Sequence, residues 1–491
     1  MPSRFLHRKR LISLLIFIVI VLFLPISGYP QGRTHFDAGL AAQEHGDFDV
    51  AIESFTLAIE AGDLSRQNLA NAYTNRGVAY AAKGDTDRAI QDYDEAIRLI
   101  PIFAKAYTNR GLAYADKGDN DRAIQDYDEA IRINPDNANA YTNRGNAFSV
   151  KGDNDRAIQD YNEAVRLNPN DAVTYTNRGL AYAAKGDNDH AIQDYNKAIG
   201  LNPNDAEAYT NRGLAYRTKG DNERAIQDYN EAIRLNPSDA EAYSSRGAAY
   251  AAKRDIDRAM QDFNEAIRLN PKDAEAYADR GALYAIKGDR DRAMQDFNDA
   301  VRLNPNDAIA YTGRGAVYAI KGDHDRAMQD FSEAIRLNTS DDGTHFSRGL
   351  TRFFLAMFQA AEEDFKKALE LNATFPYYAI WLYLARARAG QDGRAELAAN
   401  VEKLKFVGIT EQIVSLFLGK TTTDDLFVAA KSSDPKRQKE TLCEAQYYAG
   451  QHALLRGNET EARKIFSDAV KTCPTNVEAY SGAQAELKRL K

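Results

Sequence analysis

Apolar and polar positions along most of this chain return with a period of 34 residues. In the stretch 104–137, AKAYTNRGLAYADKGDNDRAIQDYDEAIRINPDN, Tyr107, Gly111 and Tyr114 recur at spacings of four and three, which predicts one buried helix face. Gly118 predicts the end of that helix, and Asp119 and Asn120 supply caps for a second. The second helix is expected to bury Ala123, Tyr127, Ala130 and Ile131, with Pro135 just beyond its end. The same glycine falls at 77, 111, 145, 179, 213, 247, 281, 315 and 349. A fixed period of this size means stacked supersecondary units, not one closed globule. The expected fold class is therefore all-α.

Around this array the chain divides into five parts. Residues 1–28 hold Arg4, His7, Arg8, Lys9 and Arg10 ahead of an apolar run from Leu11 to Leu24, the layout of a secretory signal segment. It reads either as a cleaved signal peptide or as an uncleaved N-terminal membrane anchor. In both cases the remainder is exported, to the periplasm or facing it from the inner membrane. No cysteine follows the run, so a lipid-modified N-terminus is not expected. Residues 32–69 form a divergent first repeat with Gly39, Gly46, Ala51, Phe55 and Ala58 in frame; four extra residues are expected to lengthen the link before Asn71. Nine repeats fill 70–375. In 376–442 the frame fades, though Pro376 to Arg388, Arg394 to Lys405, Glu411 to Leu418 and Thr423 to Lys431 still read as helices. Residues 443–491 hold a final repeat, with Gly450, Gly457, Ala462, Phe466, Ala469 and Pro474 in frame, and a closing helix from Val477.

The repeat resembles the tetratricopeptide (TPR) family, whose aromatic-x-x-L-G-x-x-Y, A-x-x-x-F and terminal proline pattern it matches apart from Arg110, where that family usually has leucine. The resemblance implies a right-handed superhelical solenoid of stacked antiparallel helix pairs, with the first helix of each pair lining a concave groove. The tail carries a second resemblance. IVSLFLGKTTTDDL followed by C-E-A-x-Y-Y-A-G-Q and a last repeat is similar to the C-terminal half of NlpI-type bacterial envelope lipoproteins. Those are adaptors that bring peptidoglycan hydrolases and a protease together.

Composition narrows the chemistry. The net charge of −8 is dispersed over exposed Asp and Glu, without the basic stripe nucleic acid would need. The repeats use up the exported chain, so no catalytic domain is expected. Seven histidines (His7, His35, His45, His190, His324, His345, His452) are scattered without metal spacing. The recurring G-D-x-D-R-A is not a calcium loop, because a loop starting at Asp85 puts Gln91 at its seventh place and Ala96 at its twelfth. Helix capping explains those aspartates better. No enzyme activity, cofactor, metal or small-molecule substrate is expected.

Three features stand above a generic scaffold. Counting Ala104 as position 1, Arg at position 7 accompanies Asp at position 23 in all nine repeats. Both are lost together, as Ala38 with Ser54 and as Ala449 with Ile465, which suggests contact between the two helices; shared descent of copied repeats is the other reading. Position 6 carries Asn75, Asn109, Asn143, Asn177 and Asn211, then Ser245, Asp279, Gly313 and Ser347. In the implied groove those amides would form a ladder resembling the asparagine ladder of O-GlcNAc transferases. Each carboxamide can match one peptide unit, and layers roughly 10 Å apart span about three extended residues at ~3.3 Å each. The alternative is that Asn only tolerates a solvated face. The neighbouring groove positions are expected to be Thr74, Thr108, Thr142, Thr176 and Thr210, with Lys105 and Arg217 as the cations. Finally, Cys443 opens the last repeat and Cys473 closes it, at the same edge of a helix pair. In an exported segment they are candidates for a structural disulfide; the alternative is two separate buried thiols.

The expected function is a non-enzymatic interaction scaffold in the bacterial envelope, holding extended segments of one or more proteins in its groove. The alternative is a regulator or assembly factor docking a folded envelope enzyme through the C-terminal module around Trp381, Tyr377, Tyr378 and Tyr383. Membrane contact is expected only if the N-terminal segment stays attached.

Overall fold

The computed structural model describes residues 31–431, 435–474 and 478–490, and all regular structure among them is helical. The basic and apolar segment 1–28 lies outside the described residues. Among those described, no helix is long and apolar enough to cross a membrane. The chain forms two compact units, 1–235 and 236–491.

The first unit is a stack of antiparallel helix pairs from Gln31–Glu44 with Phe48–Glu60 to Ala206–Thr218 with Asn222–Leu235. The pair Ala104–Asp116 and Asn120–Ile133 shows why the sequence folds this way. The first helix presents Ala106, Gly111 and Ala113 to the interior, small enough for a close approach. A Cβ on Gly111 would stand 2.7 Å from the Tyr127 ring, so the second helix can seat that ring only against glycine. The cost of a mid-helix glycine, about 1 kcal/mol, is offset by the ring it admits. Tyr107 and Tyr114 are half-buried rather than buried. Guanidinium groups lie over both, Arg110 at 5.5 Å and Arg122 at 4.8 Å from the ring centroids. Ile131 is likewise only half-buried. Between the helices Gly118 turns the chain at φ 79°, and the Asp119 side chain accepts from the backbone N–H of Arg122. That bond satisfies one of the free donors at the helix start.

The four extra residues after the first repeat do not lengthen the link. They extend the next helix, Arg66–Ala82, to 17 residues against 13 in Ala104–Asp116, with Ser65 accepting from Asn68 N as its cap. Ser65 makes this earlier start possible, because its side chain satisfies one of the orphan N–H groups there.

The second unit holds four more pairs, Ala240–Ala252 with Ile256–Leu269 through Asp342–Phe354 with Phe358–Leu371. Then come Pro376–Arg388, Arg394–Lys403, Ile409–Phe417 and Thr423–Ala429, the pair Pro435–Leu455 with Glu459–Thr472, and the closing helix Glu478–Arg489. Cys443 therefore lies inside a helix that begins at 435 rather than opening it. Its sulfur is bonded to that of Cys473, with Cα atoms 5.1 Å apart.

Two turns in this unit are strained, at Arg254 and at Ala356, both with φ 61°. The corresponding Gly118, Gly288 and Gly322 lie near 80°. No atom lies within 4 Å of an added Cβ at those glycines, so the demand is for backbone conformation and not for space. A side chain in this left-handed region costs roughly 1–2 kcal/mol. Arg254→Gly is expected to stabilise the second unit by about 1 kcal/mol, read as an upward shift of the urea midpoint; an unchanged or lower midpoint would show the arginine makes up the strain elsewhere.

Candidate functional site

The nine Arg–Asp pairs are the most regular polar feature. Arg178 donates from Nε to Asp194 Oδ2 at 2.7 Å and from Nη2 to Oδ1 at 2.6 Å, and the same two-pronged contact joins Arg76–Asp92, Arg110–Asp126, Arg144–Asp160, Arg212–Asp228, Arg246–Asp262, Arg280–Asp296, Arg314–Asp330 and Arg348–Asp364. The aspartates are buried, the arginines half-buried. Burial pushes the carboxyls of Asp92, Asp126 and Asp160 up, against the opposing pull of their arginines. Conversely, the hydrogen bond to Asp126 raises Arg110 despite its own desolvation.

A third contact was not foreseen. The remaining nitrogen, Nη1, reaches position 25 of the preceding repeat: Thr56 from Arg76 at 3.0 Å, Asp94 from Arg110 at 2.6 Å, Asn162 from Arg178 at 2.7 Å and Asn298 from Arg314 at 3.1 Å. Arg76, Arg110, Arg178 and Arg314 thus each tie their own helix pair together and fasten it to the pair before. The signal was present in the sequence, since every one of those position-25 residues carries a side-chain oxygen. These groups are structural, with no vacant position for a reacting molecule.

The five asparagines lie on the first helices of the first unit, where first helices of consecutive repeats touch each other more closely than second helices do. That side is the inner one. All five are half-buried or buried. At the equivalent Gly313 an added Cβ would come within 2.3 Å of the Phe297 ring, so position 6 faces the position-24 aromatic of the preceding repeat. The amides are not equivalent. Asn75 Oδ1 accepts from Lys105 Nζ at 3.4 Å. Asn177 Nδ2 donates to Asn146 Oδ1 at 2.9 Å, and that oxygen also accepts from the Tyr161 hydroxyl at 2.7 Å. Burial pushes the Tyr161 hydroxyl up, keeping it a donor. Asn109 and Asn211 each hold a buried Nδ2 without a partner, and Asn143 makes no side-chain hydrogen bond among the described residues.

The threonines do not line the face. Thr74, Thr142, Thr176 and Thr210 are buried and Thr108 half-buried. Each hydroxyl donates to the carbonyl four residues back in its own helix, Thr74 to Ala70 at 2.8 Å for example. A buried hydroxyl has no water to bond and turns to its helix instead. The exposed large apolar side chains on these helices are Leu112, Leu180 and Leu214 at position 9, with Val150 and Val173. Sequence reasoning missed them, although leucine stands at the same position in three of four consecutive copies and Asn146 in the fourth. Of the two cations, Lys105 is engaged with Asn75, and Arg217 keeps a buried Nε without a partner.

In the C-terminal module Trp381, Tyr378 and Tyr383 are buried, with Trp381 packed 5.2 Å from the Phe353 ring and 5.6 Å from Tyr447. Tyr377 donates to Glu444. These aromatics form the module's own core. Burial alone would raise the Glu486 carboxyl, but its hydrogen bond with Arg388 and the charges of Arg388 and Arg489 hold it below its ordinary value.

Comparison with known proteins gives one consistent family. A family model described as TPR repeat matches residues 77–118, 111–149, 150–186, 179–220 and 213–254. Others described as tetratricopeptide repeat match 240–273, 279–342 and 343–375. No curated protein gives a significant match. Among solved structures, YrrB, described as a TPR protein with an unusual peptide-binding site, is 24% identical, covering 38% of this chain and 95% of its own with a TM-score of 0.34. A tetratricopeptide repeat protein from Parabacteroides merdae is 26% identical, covering 50% of this chain and 98% of its own, with a TM-score of 0.42. MamA is 30% identical over 34% of this chain and 96% of its own, with a TM-score of 0.32. Proteins built from this repeat generally mediate protein–protein interaction. The matches together span more than half of the sequence, and the chain belongs to the tetratricopeptide-repeat family.

Proposed function

We propose that the chain is a non-enzymatic adaptor of the bacterial envelope whose first unit grips an extended polypeptide along its first helices. The observation that carries this reading is the pair of buried, unpartnered Nδ2 donors of Asn109 and Asn211 beside the exposed Leu112, Leu180 and Leu214. A buried donor left unpaired costs about 1–3 kcal/mol, so turning either amide outward to a carbonyl of an extended chain, which offers one at regular spacing, would relieve that cost. The leucines would take apolar side chains from the same segment. The envelope assignment is supported by the cationic and apolar N-terminal segment, by the resemblance of the tail to NlpI-type adaptors and by the cystine, a bond that persists outside the cytoplasm.

The test is selection of peptides from an unbiased display library on the full chain, followed by titration of the strongest binder. Asn109→Ala combined with Asn211→Ala is expected to weaken that peptide by about tenfold, two hydrogen bonds at roughly 0.5–1.5 kcal/mol each. Helicity should be unchanged, since alanine is the better helix former. Asn177→Ala should change affinity little, because its amide is already engaged by Asn146. Equal affinity of the double variant and the parent would reduce the ladder to a packing feature.

A further inference from the structure

The second unit contains a cavity of about 630 Å³ between helices Ala308–Ile320 and Asp342–Phe354 and the closing helix Glu478–Arg489. Its floor is apolar, built from Ala316, Ile320, Leu350, Phe354 and Ala485. Three basic side chains, His324, Lys488 and Arg489, also line it, and no carboxylate does. In a protein of net charge −8 that imbalance is informative. Arg489 is fixed in place, donating from Nη2 to the Phe353 carbonyl at 2.8 Å and to that of Phe354 at 2.5 Å. Its nearest carboxylate, Glu486, is shared with Arg388, so two guanidinium groups face one negative charge. Lys488 is exposed and has no ion pair among the described residues. His324 holds a buried Nδ1 without a hydrogen-bond partner. Topology places these basic side chains together. The Ile320 end of the first helix, the turn into His324, the Phe354 end of the next first helix and the Arg489 end of the closing helix all meet at one edge of the stack.

We propose that this cavity binds a medium-chain carboxylic acid, its alkyl body over Ile320, Leu350 and Phe354 and its carboxylate among Lys488, Arg489 and His324. The volume falls in the range of small-molecule sites, which are mostly apolar with a few convergent polar groups. The anion is specified by Lys488, which has no ion pair among the described residues, with His324 beside it and Arg489, whose partner Glu486 lies outside the lining and is shared with Arg388. The tail is specified by a floor of aliphatic and aromatic carbon. The closing helix completes the site, giving it a role that a mere cap on the stack would not need. This inference is independent of the peptide reading of the first unit.

Isothermal titration of the full chain with hexanoate, octanoate, decanoate and dodecanoate, below their micelle concentrations, tests it. Dissociation constants should fall about fourfold per added methylene until the cavity is filled. Decylammonium should not bind, and decanol should bind at least about tenfold more weakly than decanoate. Lys488→Glu should weaken decanoate about tenfold while leaving decanol unchanged. Ile320→Asp, at a half-exposed floor position, should abolish decanoate binding. Absence of binding, equal binding of decylammonium, or decanoate affinity untouched by both substitutions would overturn the proposal. Should Ile320→Asp disturb folding by circular dichroism, the chain-length series and the ammonium comparison on the unaltered protein still decide.

Discussion

Arg178→Ala is expected to destabilise the layers around it by about 3–5 kcal/mol. The reason lies in what is left behind. Asp194 is 6% exposed and takes both its hydrogen bonds from Arg178, at 2.6 and 2.7 Å. Removing the guanidinium strands a buried carboxylate and also frees Asn162 in the preceding repeat. Asp194→Ala in the same chain removes the stranded charge, so the double variant should recover a coupling energy of about 2–3 kcal/mol. Because layers of a repeat array contact mainly their neighbours, unfolding is not two-state and one midpoint would blur the result. Hydrogen exchange of Ala172–Ala184 and Asn188–Leu201 reads it locally. Strict additivity of the two substitutions would mean the pair contributes nothing beyond its separate parts.

Reduction of the Cys443–Cys473 bond should cost the last repeat about 3–4 kcal/mol in the chain-entropy account, for a sequence separation of 30. A terminal layer lacks one neighbour, so this loss falls where it is least shared. Trp381, the single tryptophan, packs against Tyr447 of the bridged helix and reports on it. Urea unfolding followed by tryptophan fluorescence should shift to lower urea in reductant, and in Cys443→Ser with Cys473→Ser. The far-ultraviolet dichroism of the first unit should stay where it is. Coincident curves with and without reductant would show the bridge does not support this repeat.

Much of this architecture is legible in the amino-acid sequence. The 34-residue period, the glycine turns and the Asp caps fix helix pairs, because each depends on local backbone chemistry. The Arg–Asp pairing was legible for another reason: nine copies and two paired losses make the chain its own comparison. What could not be read was the rotation of each helix about its axis. Position 5 and position 6 are adjacent, yet Thr142 turns to its own helix while Asn143 keeps its amide free, and spacing alone does not separate them. Leu112 and its counterparts went unremarked, because a leucine within a helical repeat carries no local sign that it stands on the exposed face. The link before the second repeat misled for a similar reason: nothing in the residue count says whether four residues loop out or wind into a helix. Ser65 decided that.

The arginine at position 7 has one more implication, for how the array changes length. Arg110 and Arg178 each hold an aspartate from their own pair and an oxygen-bearing residue from the pair before. Remove the 34 residues from Ala138 to Asp171, and Arg178 would meet Asp128 where it now meets Asn162, both acceptors. Lys185, now joined to Asp155, would find Asp121, which Lys151 holds today. The new seam therefore keeps an acceptor for its arginine and its lysine, while Asn177 would lose Asn146 and Thr174 would lose Thr142. The number of layers is thus a quantity that recombination between near-identical copies can adjust one at a time, with the arginine ties re-forming at the junction.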